Sequence, residues 1–344
     1  MPRLRRTGPH ERGIRRRRRG RGFSYLAEDG GRVSDDDLQR ITALVIPPAW
    51  TEVWICPFAN GHVQATGIDQ AGRRQYLYHP YWTSQRSRDK DRRVLRLAEE
   101  LPSAREAAAA TLDSSALDRD QVLAASFRLL DLGFFRVGSE QYAKRYGTYG
   151  LATVRREDVR VRGESVHFDF TGKHGILVSR RIVDPSLARI LKQLLARKDS
   201  ENPELLAWRE GRQWIDVRSS DINQYLKTLL AGDFTAKDFR SWHGTVLAAA
   251  ALSLATSTGR PWRSVSQAKR KQMIAHAARE VGRYLGNTPA VARSSYIHHG
   301  VVENFHKGRV IDVSVLDKGA VTGSPANHGP VEKETLHLLA KTKR

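Results

Sequence analysis

Between residues 23 and 80 the apolar positions come in short runs broken by turn residues, the texture of a small antiparallel sheet. Val53-Trp54-Ile55, Val63 to Gly67 and Arg74 to Tyr78 read as strands. Asn60-Gly61 and Asp69-Gln70-Ala71-Gly72 read as turns between them. Ser34 ahead of Asp35, Asp36 and Asp37 reads as an N-cap with an acidic first turn, opening a short helix that Pro47-Pro48 stops.

After Tyr81 the spacing changes to that of helices. Residues 87–110 are charged and helical, and Val122, Leu123, Phe127, Leu130 and Phe134 keep a helical period over 118–132 until Gly133. Ser139 opens another short helix to about Tyr146. A β interlude follows, with strands at Val159 to Val161, Ser165 to Phe170 and Ile176 to Ser179; Thr171 to Gly175 form the turn between the last two. Helices are expected again at about 185–197, 219–230, 236–256, 264–285 and 289–297. The pattern therefore predicts an α+β protein in four parts. These are a disordered Arg-rich arm over 1–22, a β-rich N-terminal domain over 23–80, a mainly helical domain with a three-stranded sheet over 81–317, and a C-terminal tail over 318–344.

Charge narrows the function. The 344 residues carry a net charge of +21, which points to a polyanionic partner and to nucleic acid first. Residues 1–22 hold ten Arg and one Glu, with almost no apolar residue, so the arm is expected to be unstructured and to track phosphates. No apolar segment follows it as a secretory signal would require. The longest small-apolar run, Thr245 to Thr256, is Ala-rich and fits a buried helix, so no membrane span is expected. The single cysteine, Cys56, excludes an intrachain disulfide. Scattered histidines and the lack of cysteine pairs leave no set of convergent zinc ligands, and no metal or other cofactor is expected. Neither a P-loop nor a G-x-S-x-G elbow occurs, so no nucleotide is expected either.

Several polar residues sit at structure breaks, where side chains can converge: Arg136 after a helix end, Lys173 at a hairpin tip, Lys237 and Arg240 at the start of a long helix, Asn287 and Tyr296 across Pro289. Each has an ordinary explanation. Arg136 suits a helix C-terminus, Lys173 a solvated turn, Arg240 an ion pair with Asp238 or Glu280, and Tyr296 a half-buried aromatic. Together they supply what metal-free phosphoryl transfer needs. Guanidinium groups neutralise the non-bridging oxygens bidentately, and an Asn amide adds a neutral donor. A lysine can protonate a departing alkoxide, and a tyrosine, with a pKa of about 10, makes a phosphoester that can leave again.

At these residues the chain resembles the type IB DNA topoisomerases of the small poxvirus and bacterial kind. The resemblance runs over roughly residues 23–310 and rests on five ordered segments. They are Gly72-Arg73-Arg74-Gln75-Tyr76-Leu77-Tyr78; Phe135-Arg136-Val137-Gly138-Ser139-Glu140 with Tyr146-Gly147-Thr148-Tyr149-Gly150-Leu151; Phe168-Asp169-Phe170-Thr171-Gly172-Lys173; Lys237-Asp238-Phe239-Arg240-Ser241-Trp242; and Leu285-Gly286-Asn287-Thr288-Pro289 through Ser294-Ser295-Tyr296-Ile297. The poxvirus members carry histidine where this chain has Asn287. The resemblance implies a C-shaped clamp of a β-rich lobe and a helical catalytic lobe around duplex DNA. It implies Tyr296 as nucleophile and Lys173 as general acid helped by Arg136. Arg136, Arg240 and Asn287 would hold the non-bridging oxygens, with Lys237 beside the phosphate. It further implies groove contacts by Gln75, Tyr76 and Tyr78 from one lobe, and by Tyr142 and Arg145 from the other. A monomer acting in the cytoplasm at the nucleoid is the corresponding expectation.

Two other protein classes share part of this pattern. A tyrosine recombinase shares the Arg, Lys, Arg, Tyr set, but usually shows His-x-x-Arg where this chain has Lys237-x-x-Arg240, and a helical N-terminal domain where 23–80 reads as strands. A basic architectural protein without activity explains the charge but not five matched segments.

Overall fold

The structure is a computed structural model that describes residues 3–114, 116–198, 202–257, 262–316 and 328–340. The chain divides into two units, Met1–Lys90 and Asp91–Arg344. The division lies beyond the expected break at 80/81, because the helix that opens at Pro80 runs on without interruption through it to Leu112.

The first unit is an antiparallel sheet with a short helix and, at its end, the first turns of the helix that opens at Pro80. Its strands are β1 (Ile14–Arg19), β2 (Gly22–Leu26), β3 (Thr51–Ile55), β4 (Val63–Ile68) and β5 (Arg74–Tyr78), in the spatial order β2-β1-β3-β4-β5. Helix α1 (Asp35–Ala43) is capped as its sequence requires: Ser34 Oγ accepts from Asp37 N at 3.1 Å. Ile14, Val33, Ile41, Val53, Ile55 and Ala65 form the core of this unit.

The arginine run corrects the expectation of a disordered arm over 1–22. Arg15 to Arg19 lie in β1, paired with β2 from Arg15↔Leu26 to Arg19↔Gly22 and with β3 at Ile14↔Ile55. Four of its arginines stay exposed, and only Arg16 is half-buried. Arg16 turns inward and donates to the carbonyls of Ile46 at 3.3 Å, Pro47 at 3.1 Å and Trp50 at 2.5 Å. Its guanidinium also covers the Phe23 ring at 4.1 Å. Further upstream, Thr7 N donates to His62 Nδ1 at 3.0 Å and Trp54 Nε1 donates to Glu11 O at 3.0 Å. Backbone pairing, not apolar content, holds this segment.

The second unit is mainly helical. Its helices are α2 (Pro80–Leu112, of which the residues from Asp91 belong here), α3 (Arg119–Gly133), α4 (Glu140–Tyr146), α5 (Pro185–Leu195), α6 (Ser219–Leu229), α7 (Ala236–Thr256), α8 (Gln267–Leu285), the single turn α9 (Pro289–Val291), α10 (His299–His306) and α11 (Pro330–Ala340). Strands β6 (Val159–Arg162), β7 (Ser165–Thr171) and β8 (Leu177–Val183) make the expected three-stranded antiparallel sheet in that order. A two-stranded hairpin, β9 (Ala207–Glu210) and β10 (Gln213–Asp216), was not expected. Helix α7 runs through the core: Phe239, Trp242, Val246 and Ala248 are fully buried. Asp118 and Ser266 cap α3 and α8 through their side chains.

The tail expected over 318–344 needs correction where it is described. Helix α11 buries Val331, Thr335, Leu338 and Leu339, one stripe at helical spacing. Residues 317–327 and 341–344 lie outside the described residues. No helix among the described residues is long and apolar enough to cross a membrane.

Candidate active site

Chain geometry after α8 brings the expected residues together. Gly286 takes φ 58° and ends the helix in the left-handed conformation, which a side chain would strain. Asn287 N then closes back onto Gly282 O at 2.8 Å. Thr288 caps the next turn, its Oγ1 accepting from Val291 N at 3.3 Å, with Pro289 at the first helical position. Residues Ala292–Tyr296 widen into a π-turn, closed by Ile297 N donating to Ala292 O at 3.1 Å. Tyr296 packs against α7 at Gly244, where a Cβ would lie 3.3 Å from the Cβ of Tyr296 and 3.2 Å from Leu285 Cδ1.

Arg136, Arg240, Asn287 and Tyr296 form one cluster. Arg136 follows α3 and donates through Nη2 to Asn287 Oδ1 and to Gly286 O, both at 2.8 Å. Arg240, on the second turn of α7, is 4% exposed; it donates to Phe134 O at 2.5 Å and to Leu285 O at 2.7 Å. Its guanidinium carbon lies 5.2 Å from the centre of the Tyr296 ring. The acceptors that fix these arginines are neutral, and neither arginine pairs with a carboxylate among the described residues. Arg240 does not take the ion pair considered from sequence: Asp238 pairs with Arg93 at 2.8 Å and Glu280 with Arg283 at 2.9 Å.

The titration behaviour follows from that arrangement. Burial, then the neighbouring charge of Arg136, pull Arg240 down to about 10. Burial likewise lowers Arg136. Burial alone would raise the Tyr296 phenol, but the charges of Arg240, Arg136 and Lys237 outweigh it, and the phenol lies below its ordinary value. This is the direction a nucleophile needs.

Lys173 is placed differently. It sits exposed on the β7–β8 turn, whose flanking residues Gly172 and Ile176 line the same narrow crevice, of about 50 Å³, as Arg136 and Arg240. The turn thus borders the site, while Lys173 itself is exposed. Lys237 is exposed at the start of α7 and contributes its charge to the Tyr296 phenol. Sequence reasoning missed Arg180. It lies on β8 on the face shared by Val178 and Ile182, and lines the crevice with Arg136 and Arg240. An arginine in step with two inward-facing apolar residues was the available signal.

The site residues fall within residues 80–311, a stretch matched by the family model of the eukaryotic DNA topoisomerase I catalytic core. The bacterial DNA topoisomerase IB N-terminal domain matches residues 22–69. The chain belongs to the type IB DNA topoisomerase family. This topoisomerase is 27% identical over 294 residues to DNA topoisomerase 1B of Acanthamoeba polyphaga mimivirus, covering 85% of this chain and 87% of that one. It is 23% identical over 251 residues to DNA topoisomerase I of monkeypox virus, covering 72% and 74%. With DNA topoisomerase 1 of rabbit fibroma virus the identity is 22% over 244 residues, covering 69% and 70%.

The residues expected to meet DNA grooves separate by strand parity. Tyr76 and Tyr78 lie on one exposed face of β5, their rings stacked at 5.9 Å and 12°. Gln75 belongs to the opposite face, where its Nε2 donates to Asp69 Oδ2 at 2.8 Å. In the topoisomerase's second unit, α4 has no buried residue. Tyr142 and Tyr146 pack ring to ring at 5.4 Å on its surface, and Arg145 covers Tyr146 at 5.4 Å.

One group of metal-ligand types comes together away from this site. Asp131, His243 and His328 place ligand atoms within 4.8 Å of one another. Sequence spacing gave no hint of it, since the three residues sit on α3, on α7 and two residues ahead of α11. Arg105 donates to both oxygens of Asp131, at 2.8 and 3.0 Å, and to both of Glu332, at 2.6 and 3.0 Å. The carboxylate thus already has a cation, and the group reads as a buried charge network.

Proposed function

We propose that this topoisomerase relaxes both positive and negative supercoils through a transient 3′-phosphotyrosyl link. Tyr296 attacks the scissile phosphorus and gives up its phenolic proton to solvent water. The bond from phosphorus to the 5′ oxygen breaks, and Lys173 delivers a proton to that oxygen, leaving a 5′-hydroxyl. Arg136, Arg240 and Asn287 neutralise the two non-bridging oxygens as charge gathers on them. The free strand swivels, and the 5′-hydroxyl attacks back and releases Tyr296 without ATP, since the phosphotyrosyl bond keeps the energy of the bond it replaced. The two units act as the arms of a C-shaped clamp on duplex DNA. The enzyme works as a monomer at the nucleoid in the cytoplasm, without metal or nucleotide.

The observation that carries this reading is the convergence of Arg136, Arg240, Asn287 and Tyr296, with the arginines held on neutral acceptors. A half-buried site whose two arginines meet no carboxylate among the described residues, beside a phenol held below its ordinary value, suits one anionic ligand, and a phosphodiester supplies it. Asn287 Oδ1 accepts from Arg136, which leaves its amide N–H groups to donate; one reaches Leu285 O at 3.3 Å. The test is supercoiled plasmid of either sign with EDTA and no ATP. Relaxation of both is expected. Strand joining between plasmids would mark a recombinase, and a band shift alone would mark a DNA-binding protein without this activity.

A further inference from the structure

Three consecutive carbonyls at the end of α8 are each held by a different arginine. Arg180 Nη2 donates to Tyr284 O, Arg240 Nη2 to Leu285 O at 2.7 Å, and Arg136 Nη2 to Gly286 O at 2.8 Å. A helix leaves its last carbonyls without intrahelical partners, at the negative end of its dipole, so cations are favoured there. The three arginines come from β8, α7 and the segment after α3, which ties three elements to one helix end. Arg180 spans two carbonyls, since its Nη1 donates to Ser179 O at 2.7 Å.

We propose that Arg180 is a third arginine of the cleavage centre, a positioning residue that holds the Tyr284 carbonyl and thereby the end of α8 from which Asn287 and Tyr296 are presented. The reasoning is geometric. If the Tyr284 carbonyl is released, the last turn of α8 is free to fray. The Leu285 and Gly286 carbonyls then move, and Arg240 and Arg136 lose their anchors together. The charge of Arg180 also adds to the field acting on Arg240. The proposal rests on Tyr296 being the nucleophile.

The experiment is single-turnover cleavage of a duplex oligonucleotide by the full chain, with DNA affinity and thermal melting measured alongside. For Arg180→Ala the cleavage and religation rate constants are expected to fall about tenfold, the scale of one partly buried cation–dipole contact. DNA affinity should stay within about twofold. Added guanidinium ion should restore most of the rate, against sodium chloride at equal ionic strength, which a general loss of structure would not allow. Arg180→Lys keeps the charge but cannot span two carbonyls, so its rate should fall between the two. It gives the same reading if Arg180→Ala does not fold. An unchanged rate in both variants, or a loss that guanidinium leaves untouched, overturns the proposal. Tyr296→Phe separates the two levels: a covalent adduct surviving in that variant overturns the nucleophile reading itself, whatever Arg180 does.

Discussion

Removing the Glu332 carboxylate tests whether α11 belongs to the catalytic unit or merely trails from it. Glu332 is 7% exposed and accepts from three donors. Arg105 supplies two of them, at 2.6 and 3.0 Å, and Trp242 Nε1 the third, at 2.7 Å. Truncating one partner of a buried pair costs about 3–5 kcal/mol when the other charge is left alone. Arg105 keeps Asp131, which trims that figure, but the buried indole N–H is left without an acceptor at a cost of about 1–3 kcal/mol. Glu332→Ala should therefore lose about 3–5 kcal/mol in total. For a unit of this size each kcal/mol lowers the melting temperature by about 2–4 °C, so a drop of about 10 °C is expected at neutral pH. Thermal unfolding followed by circular dichroism measures it. Glu334→Ala on the same helix is the control, because Glu334 is half-exposed and pairs, among the described residues, with the exposed His337, and its effect should stay within about 0.5 kcal/mol. The difference should also shrink in acid. Burial pushes Glu332 up, but Arg105 more than offsets it and holds the carboxyl below its ordinary value. Its contribution is complete above the unfolded pKa of about 4.3 and fades as pH falls through the lower folded value. Equal melting temperatures for the two variants would refute the reasoning.

Two further outcomes concern the chemistry. Single-turnover cleavage should rise with pH as the lowered Tyr296 phenol ionises, then fall as pH passes the Arg240 value of about 10 and that guanidinium gives up its proton; a rate still climbing beyond that point would exclude Arg240 as the charge that counts. Lys173→Ala should slow cleavage about 10²- to 10⁴-fold on an ordinary duplex, yet approach the wild-type rate when the 5′ bridging oxygen is replaced by sulfur, because a thiolate departs without an acid. A defect equal on both substrates would remove Lys173 from that role.

Elements whose cause is local were legible in the sequence. Ser34 caps the helix it precedes, and the apolar period from Val122 to Phe134 buries as α3. The site residues were legible by type and order, but their coupling was not. No spacing says that Arg136 donates to the Asn287 side-chain carbonyl, or that Arg240 chooses Phe134 and Leu285 over Asp238, because these bonds join residues 45 to 151 apart in the chain. Gln75 shows the opposite case. Its parity against Tyr76 and Tyr78 was visible from the start, and would have assigned it to the other face of β5. Helix α11 also carried its signal, in Val331, Thr335, Leu338 and Leu339, beneath a Lys-rich ending that reads as solvent-exposed.

Strand β1 poses a question of addressing. Five identical residues, Arg15 to Arg19, cannot specify their own alignment: a slip of two positions against β2 puts arginine opposite the same faces as before. The correct frame has to be read from its ends. Ile14 is the one residue of the strand that suits the buried core, and Gly20, at φ 59°, fixes where the chain reverses into β2. Between them the inward carbonyls of Ile46, Pro47 and Trp50 accept whichever arginine reaches them, and in this alignment that is Arg16. The tract is thus redundant in its middle and informative only at its borders, so single changes within Arg17 to Arg19 should alter charge while changes at Ile14 or Gly20 alter the alignment of the sheet.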